Sequence, residues 1–328
     1  MSKTLKILSR PKGNAEEYGK WSVNPYIGCS HLCSYCFLKK GPSGAYLGQD
    51  KPVLKKGVVN EEHAYHLAMA EIMDNRDEII RDGGLFMTFT SDPCAPETRQ
   101  LFFRIASDTI HQFVPVVILT KNADFFQYPT MTAMICDAKH LMSLPNDEGK
   151  RIIISGSPFC QYLGAAHQHL VKPLIAFGWT LTGHDELEPN ASTNAERIAA
   201  MKRMSDEKYK TWASIEPVID FQSSLDMIYQ ALNAGCQHFK IGLLTNNTRV
   251  VRKDFQIGEH QFKAYDVIDC MHFIEDVMRL TEGKATVYWK QSVRDLLETI
   301  YTPAAVDELL NYPHSVGKGW SMFTPDVR

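Results

Sequence analysis

The chain has no long apolar run, no low-complexity tract and few cysteines for its 328 residues. Because a membrane-spanning helix needs about 20 consecutive apolar residues, the lack of such a run argues against a membrane protein. The first 21 residues lack the apolar core of a secretory signal, so we expect a cytoplasmic protein. Eight cysteines are too few for a disulfide scaffold, and a tight group of them in a reducing compartment suggests metal binding or catalysis.

Charge of neither sign dominates. The chain has 35 Lys and Arg against 38 Asp and Glu, a formal net charge of −3. This balance argues against a strongly cationic nucleic-acid coat, because binding to phosphates uses many Lys and Arg residues. Five lysines do cluster directly after the cysteine-rich segment, at Lys39, Lys40, Lys51, Lys55 and Lys56. The cluster is typical of a solvated loop, and a local basic groove is the alternative.

Short apolar segments alternate with longer segments of helical spacing. The predicted strands are Ser22–Ile27, Leu85–Thr90, Val114–Thr120, Arg151–Ser155, Phe177–Thr182, Thr211–Pro217, His238–Leu243 and Thr286–Lys290. The predicted helices are Asn60–Arg81, Glu97–Gln112, Met131–Leu144, Ser192–Met204, Ser223–Asn233 and Tyr265–Leu280. This alternation predicts an α/β fold with a parallel sheet, either an open wound sheet or a partial or complete TIM-like (β/α) barrel.

The domain organisation follows from these elements. We expect an N-terminal extension over residues 1–20 and a barrel over residues 21–300. A C-terminal tail over residues 301–328 would pack on the barrel. The fourth barrel strand has two candidate ends, Ser155 and Thr182, and the order of the segments that follow favours Thr182. Residues of about 145–175 would then form an insertion near the substrate.

Three cysteines lie within eight residues directly after the first predicted strand. Cys29, Cys33 and Cys36 have the spacing C-x3-C-x2-C. Three thiolates can ligate three irons of a [4Fe–4S] cluster and leave the fourth iron open to an exogenous ligand. The alternative is a zinc site with His31 or a distant cysteine as fourth ligand, but zinc sites usually show two separated ligand pairs.

Polar side chains follow several predicted strands, at the end where α/β folds place their chemistry. Arg197 could bind a carboxylate with its planar fork or pair with Glu188. Glu216 could bind a hydroxyl group or form a buried ion pair. The candidates at strand ends are Thr90, Ser91, Lys121, Thr182, Glu216 and Lys290, and Arg197 lies where the helix after the Thr182 segment begins.

The cysteine spacing, with the aromatic Tyr35 before the third cysteine, resembles the radical S-adenosylmethionine (SAM) superfamily. The segments NPYIGCSHLCSYCF, TSDPCAPETR, LTKN, LTGHDELEPNASTNAERI and SIEPVID occur in the order typical of its spore photoproduct lyase-like branch. That similarity covers roughly residues 21–245, and SIEPVID and YWKQ also resemble a phage-associated radical SAM group. The expected fold is therefore a partial or complete (β/α) barrel of the radical SAM type.

The resemblance implies a [4Fe–4S] cluster held by Cys29, Cys33 and Cys36, with SAM on the open iron. It implies SAM contacts from Tyr35, Thr90, Ser91, Lys121, Thr182, Arg197 and Glu216. It also implies reductive cleavage of SAM, hydrogen abstraction from a substrate, and a reducing partner such as flavodoxin or ferredoxin. A nucleic-acid base or nucleotide is the first substrate class, and a small metabolite or peptide is the alternative.

One departure from the branch concerns the return of a hydrogen atom to the product. The branch's type enzyme uses a cysteine near the end of the second strand, where this chain has Phe89-Thr90-Ser91. The nearest thiol is Cys94, which we take as the candidate hydrogen donor, and Lys290 is a second candidate for substrate contact. Outside the enzyme class, the alternative is a non-catalytic zinc or iron–sulfur interaction protein.

Overall fold

The computed structural model describes residues 5–41, 44–124, 143–145, 151–153, 172–246, 249–251 and 253–323. Of residues 143–145, 151–153, 246 and 249 only the backbone is described. The predicted helix Met131–Leu144 lies outside these ranges except for its last two residues, which belong to a strand. None of the helices described in these ranges has the length and apolarity needed to cross a membrane.

The strands and helices are numbered in chain order. The strands are β1 (Leu8–Ser9), β2 (Ser22–Val23), β3 (Tyr26–Ile27), β4 (Val53–Leu54), β5 (Leu85–Met87), β6 (Val116–Thr120), β7 (Ser143–Pro145), β8 (Arg151–Ile153), β9 (Ile175–Thr180), β10 (Lys210–Val218), β11 (His238–Leu243), β12 (Thr245–Asn246), β13 (Arg249–Val250), β14 (Phe255–Ile257), β15 (His260–Phe262) and β16 (Thr286–Trp289). The α-helices are α1 (Gly44–Leu47), α2 (Glu61–Asp74), α3 (Arg76–Arg81), α4 (Arg99–His111), α5 (Asn194–Asp206), α6 (Phe221–Asn233), α7 (Val267–Thr281), α8 (Gln291–Leu297) and α9 (Pro303–Leu309).

One eight-stranded sheet, in the order β1-β2-β5-β6-β9-β10-β11-β16, forms the centre of the molecule. All neighbours in it are parallel except β1 and β2. The edge strands β1 and β16 do not pair with each other within the described chain, so the barrel is partial. The carboxyl ends of the parallel strands lie at one edge of the sheet, where the predicted site residues are placed.

Helix starts are fixed by side-chain caps that the sequence supplies locally. Asn60 accepts a hydrogen bond from the His63 amide at the start of α2. Thr193 and Glu196 form a reciprocal capping box at the start of α5. The segment predicted as one helix, Asn60–Arg81, is two helices, because the chain leaves helical geometry at Asn75.

The fourth parallel strand is β9, which pairs with β6 on one side and β10 on the other. Thr182 therefore lies two residues beyond the end of this strand, as the segment order favoured. The competing segment contributes β8 to a separate antiparallel hairpin with β7. Ser155 itself, and most of the insertion predicted at about 145–175, lie outside the described residues.

Glu17 and Tyr18, between β1 and β2, contact strands at the other end of the sheet order. Glu17 accepts hydrogen bonds from the Tyr288 hydroxyl at 3.0 Å and from the Gln291 amide at 2.7 Å, at the carboxyl end of β16. Tyr18 extends to β10, where its hydroxyl lies 2.7 Å from Ser214 Oγ. The C-terminal residues also contact the barrel, because Ser321 Oγ donates to the Gly83 carbonyl and Lys210 Nζ to the Met322 carbonyl.

Candidate functional site

The cysteine loop, residues 28–36, is anchored by its backbone. Gly28 has φ +89°, and a Cβ at this position would lie 2.5 Å from the Lys51 carbonyl oxygen, so both conformation and space require glycine. The Cys29 amide donates to the Gln49 carbonyl at 3.0 Å, and the Ser34 amide donates to the Leu187 carbonyl at 2.9 Å. The loop is therefore held between the residue 37–54 segment and the loop that follows β9.

All three thiols of the cysteine loop are free. Cys33 is buried, whereas Cys29 and Cys36 are half-buried. Burial raises the pKa of the Cys33 thiol to about 11, although the nearby Lys121 ammonium opposes this effect. In this conformation no three His, Cys, Asp or Glu side chains of the described chain converge on a preformed ion site.

A buried ion pair, His31–Asp92, ties this loop to the sheet. His31 Nε2 lies 2.9 Å from Asp92 Oδ2, and His31 Nδ1 lies 3.1 Å from the Asn190 carbonyl oxygen. Burial disfavours both charges, but each offsets this for its partner: Asp92 raises the pKa of His31, and His31 lowers the pKa of Asp92 to about 2. Because both ring nitrogens are engaged, His31 is not free to act as a fourth zinc ligand.

Asp92 also accepts hydrogen bonds from residues at the ends of two strands. Thr120 Oγ1 donates to it at 2.6 Å, and the amides of Lys121 and Cys94 donate at 2.8 Å each. Asp92 was not among the site candidates predicted from the sequence. The ends of β5 and β6 and the cysteine loop therefore meet at one carboxylate, which could not be anticipated from local spacing.

A second buried group lies beside Cys33. Glu188 forms an ion pair with Arg197, with Nη2 to Oε2 2.6 Å, and both side chains are fully buried. Tyr35 donates its hydroxyl to the same carboxylate, and Lys121 Nζ lies 4.0 Å from it. Of the two arrangements considered for Arg197, the structure has the pairing with Glu188. Two cations against one anion leave this group with excess positive charge beside the thiols.

The remaining candidates near β5 and β9 have different surroundings. Thr90 donates its hydroxyl to the Tyr26 carbonyl at 2.5 Å. Ser91 Oγ is buried and has no hydrogen-bond partner among the described residues. The Thr182 hydroxyl accepts from the His184 amide at 3.2 Å. Cys94 is fully buried in the hydrophobic core, and burial raises the pKa of its thiol well above the ordinary value.

Glu216 and Lys290 meet each other across the carboxyl ends of β10 and β16. Lys290 Nζ lies 2.5 Å from Glu216 Oε2 and 3.5 Å from Glu17 Oε2. Tyr18 also donates its hydroxyl to Glu216. The buried ion pair considered for Glu216 is therefore present. Glu17 and Tyr18 carried no sequence signal, because no motif surrounds them.

A cavity of about 470 Å³ opens beside the cysteine loop. Ser34 and Tyr35 of the cysteine loop line it, together with Leu244, Phe255 and Ile257. The β14–β15 hairpin contributes part of this lining, and its turn places Gly258 next to Ser34. A cavity of this volume accommodates a molecule of nucleoside or cofactor size.

His184 links the loop after β9 to the start of α6 and gives a pH prediction. Its Nε2 lies 2.6 Å from Asp220 Oδ2 and its Nδ1 lies 2.7 Å from Glu186 Oε1. The hydrogen bond to Asp220 raises the pKa of His184. Protonated His184 therefore contributes its full stabilisation of the fold below its unfolded-state pKa, and this stabilisation is lost as pH rises through its folded-state pKa. The decrease in the free energy of unfolding that His184→Gln causes, measured by urea titration, should be larger at about pH 6 than at about pH 9.

The matched control is His272→Gln, since His272 is exposed on α7. Its free energy of unfolding should stay close to that of the parent chain at both pH values. Equal losses for His184→Gln at the two pH values would contradict a charged His184 between the carboxylates.

Comparison with known proteins supports the fold. No protein-family model and no curated protein sequence matches the chain. The structure of a cysteine-to-serine variant of spore photoproduct lyase matches with a TM-score of 0.55 and 14% identity, over 88% of this chain and 80% of that one. Two structures of SuiB from Streptococcus suis have a TM-score of 0.48. One has 12% identity over 82% of this chain and 48% of its own. The other, bound to S-adenosylmethionine, has 11% identity over 88% of this chain and 54% of its own.

The chain therefore shares its fold with spore photoproduct lyase. The predicted α/β class and the partial TIM-like barrel are confirmed.

Proposed function

We propose that this chain is a radical SAM enzyme in which Cys29, Cys33 and Cys36 hold a [4Fe–4S] cluster. The observation that carries the proposal is three free thiols on one anchored loop, at the carboxyl edge of a partial parallel barrel. Thiolates are the usual ligands of iron–sulfur clusters, and three of them leave one iron without a protein ligand. Held by these three cysteines, a cluster with SAM would supply reductive cleavage of SAM and hydrogen abstraction from a substrate.

The surrounding residues fit a charged amino-acid cofactor. Lys121 and Arg197 give the Glu188 group its excess positive charge, which favours a carboxylate beside Cys33. The buried, unpartnered Ser91 hydroxyl offers a hydrogen bond to an incoming polar group. Tyr35 is held by Glu188, so its ring borders the cavity in a fixed position. The chain thus provides charge, a hydrogen-bonding group and a shaped wall next to the thiols.

For the substrate we propose a nucleic-acid base or nucleotide, on the basis of the branch that the motifs resemble. The cavity beside the cysteine loop borders the proposed SAM site, and a base held in a duplex would have to be extruded to reach it. A small metabolite or peptide is the second candidate, and the near-neutral charge of the chain favours it. A salt-dependent shift of labelled oligonucleotides would support the first candidate, and its absence would favour the second.

The metal content of the anaerobically reconstituted chain tests the cofactor assignment. The parent chain should contain about four iron and about four sulfide per protein, with the brown colour of a cluster. Cys33→Ala should lose most of both, since only two thiolates remain. Cys236→Ala is the matched control, because Cys236 is also buried but lies before β11, away from the loop. One zinc per chain without sulfide would support the non-catalytic metal-binding alternative instead.

A further inference from the structure

The central sheet is apolar on the face towards the helices and polar on the other face. One row of register partners belongs to the large apolar core that includes residues of α4 to α7: Ala213, Phe239 and Val287. Side chains alternate along a strand, so the next row, Ser214, Lys240 and Tyr288, points the other way. Branched apolar side chains normally fill the interior of a parallel barrel, so a polar row here calls for an explanation.

Two further charged side chains lie on this side of the sheet. Glu216 and Lys290 form an ion pair, with Lys290 Nζ 2.5 Å from Glu216 Oε2. A Cβ added to Gly242, two residues beyond Lys240, would lie 3.0 Å from Lys290 Cδ and 3.1 Å from Glu216 Oε1. The pair therefore crosses β11 on the same side as Lys240. We call Ser214, Glu216, Lys240, Tyr288 and Lys290 the polar face.

The polar face binds the backbone and the carboxylate of Glu17 in the N-terminal segment. Lys240 Nζ donates to the Glu17 carbonyl at 2.7 Å and to the Tyr18 carbonyl at 3.2 Å. The Glu17 carboxylate accepts from the Tyr288 hydroxyl at 3.0 Å and lies 3.5 Å from Lys290 Nζ. Two successive backbone carbonyls and one side-chain carboxylate are thus contacted together.

The side chain of Tyr18 is bound at both its ends. Its hydroxyl donates to Glu216 and lies 2.7 Å from Ser214 Oγ. Its ring lies against Phe86 and Phe89, with centroids 5.7 Å and 6.1 Å away. Backbone carbonyls, a carboxylate and a phenol are features that together describe a peptide.

Glu17 and Tyr18 leave polar groups beside the polar face without a partner. Trp212 Nε1 and His238 Nε2 belong to register neighbours that are each 1% exposed, and neither atom has a hydrogen-bond partner among the described residues. Burial and the nearby Lys290 ammonium lower the pKa of Lys240 to about 7. Trp212, His238, Lys240 and Glu17 line one cavity of about 40 Å³. Because unpaired buried polar groups cost free energy, they indicate a ligand that offers more partners than this segment does.

We propose that the polar face is a binding site for a peptide that carries a carboxylate side chain next to an aromatic residue. In the structure Glu17 and Tyr18 of the same chain occupy this site. A peptide fits better than a nucleotide, because Lys240 contacts successive carbonyls and the Glu216 carboxylate would repel a phosphate. The proposal concerns binding alone and depends neither on the cluster nor on the substrate class proposed above.

A permanent structural role for this segment is the competing interpretation. Charged groups are a poor choice for that role, since buried ion pairs are often no more stabilising than apolar residues of similar volume. A segment that only completed the fold would need neither the Glu216–Lys290 pair nor the ammonium of Lys240. The two interpretations differ in whether a peptide supplied in trans can take the place of Glu17 and Tyr18.

Exchange with such a peptide tests the proposal. The probe is a fluorescent peptide with the sequence of residues 13–20, GNAEEYGK. The receptor is the full-length chain after anaerobic reconstitution, either as the parent or as Glu17→Ala/Tyr18→Ala, which removes the side chains that occupy the site. Fluorescence anisotropy gives the Kd, and cooperative urea unfolding shows that each variant is folded.

The double variant should bind the probe saturably. The parent chain should bind it at least about tenfold more weakly, because its own segment competes at an effective concentration on the order of millimolar. Adding Lys240→Met to the double variant should weaken binding by about tenfold, since two hydrogen bonds to the peptide are lost. Lys284→Met is the matched control, an exposed lysine just before β16, and should leave the Kd unchanged.

A folded double variant that does not bind the probe would overturn the proposal, and Glu17 and Tyr18 would then be a permanent part of the fold. Equal affinities of parent and double variant, or no effect of Lys240→Met, would also overturn it, because the probe would bind elsewhere. Displacement of the probe by an equal concentration of a nucleoside monophosphate would assign the face to a nucleotide instead.

A second variant keeps the test decisive if the double variant does not fold. Tyr18→Phe retains the ring and removes only the hydroxyl that bonds to Glu216, so it should bind the probe more tightly than the parent chain does. An unchanged Kd would contradict the proposal. None of these readouts requires a cluster, so a chain that forms no 5′-deoxyadenosine would contradict the proposed function without affecting this test.

Discussion

Arg197→Ala should lower the free energy of unfolding by about 3–5 kcal/mol, because it leaves the Glu188 carboxylate buried without its main partner. Both side chains are fully buried, and Arg197 Nη1 also donates to the Thr180 carbonyl at 2.9 Å, at the end of β9. Lys121 lies 4.0 Å from Glu188 and compensates only part of the charge. Urea denaturation at neutral pH would measure the loss.

Arg203→Ala on the same helix is the matched control. Arg203 pairs with Glu207 at 3.3 Å, but its side chain is 54% exposed. Exposed pairs contribute little, so we expect a change of about 0.5 kcal/mol or less. Similar losses in the two variants would contradict the assignment of a buried Glu188 group that supports the site.

Asp92→Ala is the second variant with a large expected effect. It removes the acceptor of His31, Thr120 and two backbone amides at once, and it leaves these buried groups without their partner. We expect a loss of about 3–5 kcal/mol in the free energy of unfolding. The variant should also retain less iron after reconstitution, since the tether between the cysteine loop and the ends of β5 and β6 is gone.

Asp206→Ala serves as its control, because Asp206 is 64% exposed in an ion pair with Lys202.

The pKa of about 2 for Asp92 sets the pH range over which its contribution to stability is lost. Ionised Asp92 stabilises the fold above its unfolded-state pKa, and this stabilisation is lost as pH falls through its folded-state pKa. The difference between parent and Asp92→Ala should therefore shrink as pH falls below about 4. Full iron retention in Asp92→Ala would contradict the tether.

The sequence predicted the features that are local along the chain. Parallel strands buried on both faces appear as continuous apolar runs, and their ends identified Lys121 and Thr182 as residues near one edge. The cysteine spacing is likewise contained in one loop. Helix caps such as Asn60 were also readable from a few residues.

Long-range pairings could not be predicted in this way. Tyr35 and Glu188 are 153 residues apart, and Tyr18 and Glu216 are 198 apart, so no spacing rule connects them. Whether a strand-end carboxylate such as Glu216 faces a ligand or a lysine depends on which strands become neighbours. The contacts of Glu17 near β16 and of Tyr18 with β10 likewise depend on the tertiary structure alone.

The most direct test is the formation of 5′-deoxyadenosine from SAM by the anaerobically reconstituted chain with dithionite. The account predicts product with the parent chain and with Cys236→Ala, and none above background with Cys33→Ala. A parent chain that contains four iron and four sulfide yet forms no 5′-deoxyadenosine, or equal product from Cys33→Ala, would contradict it.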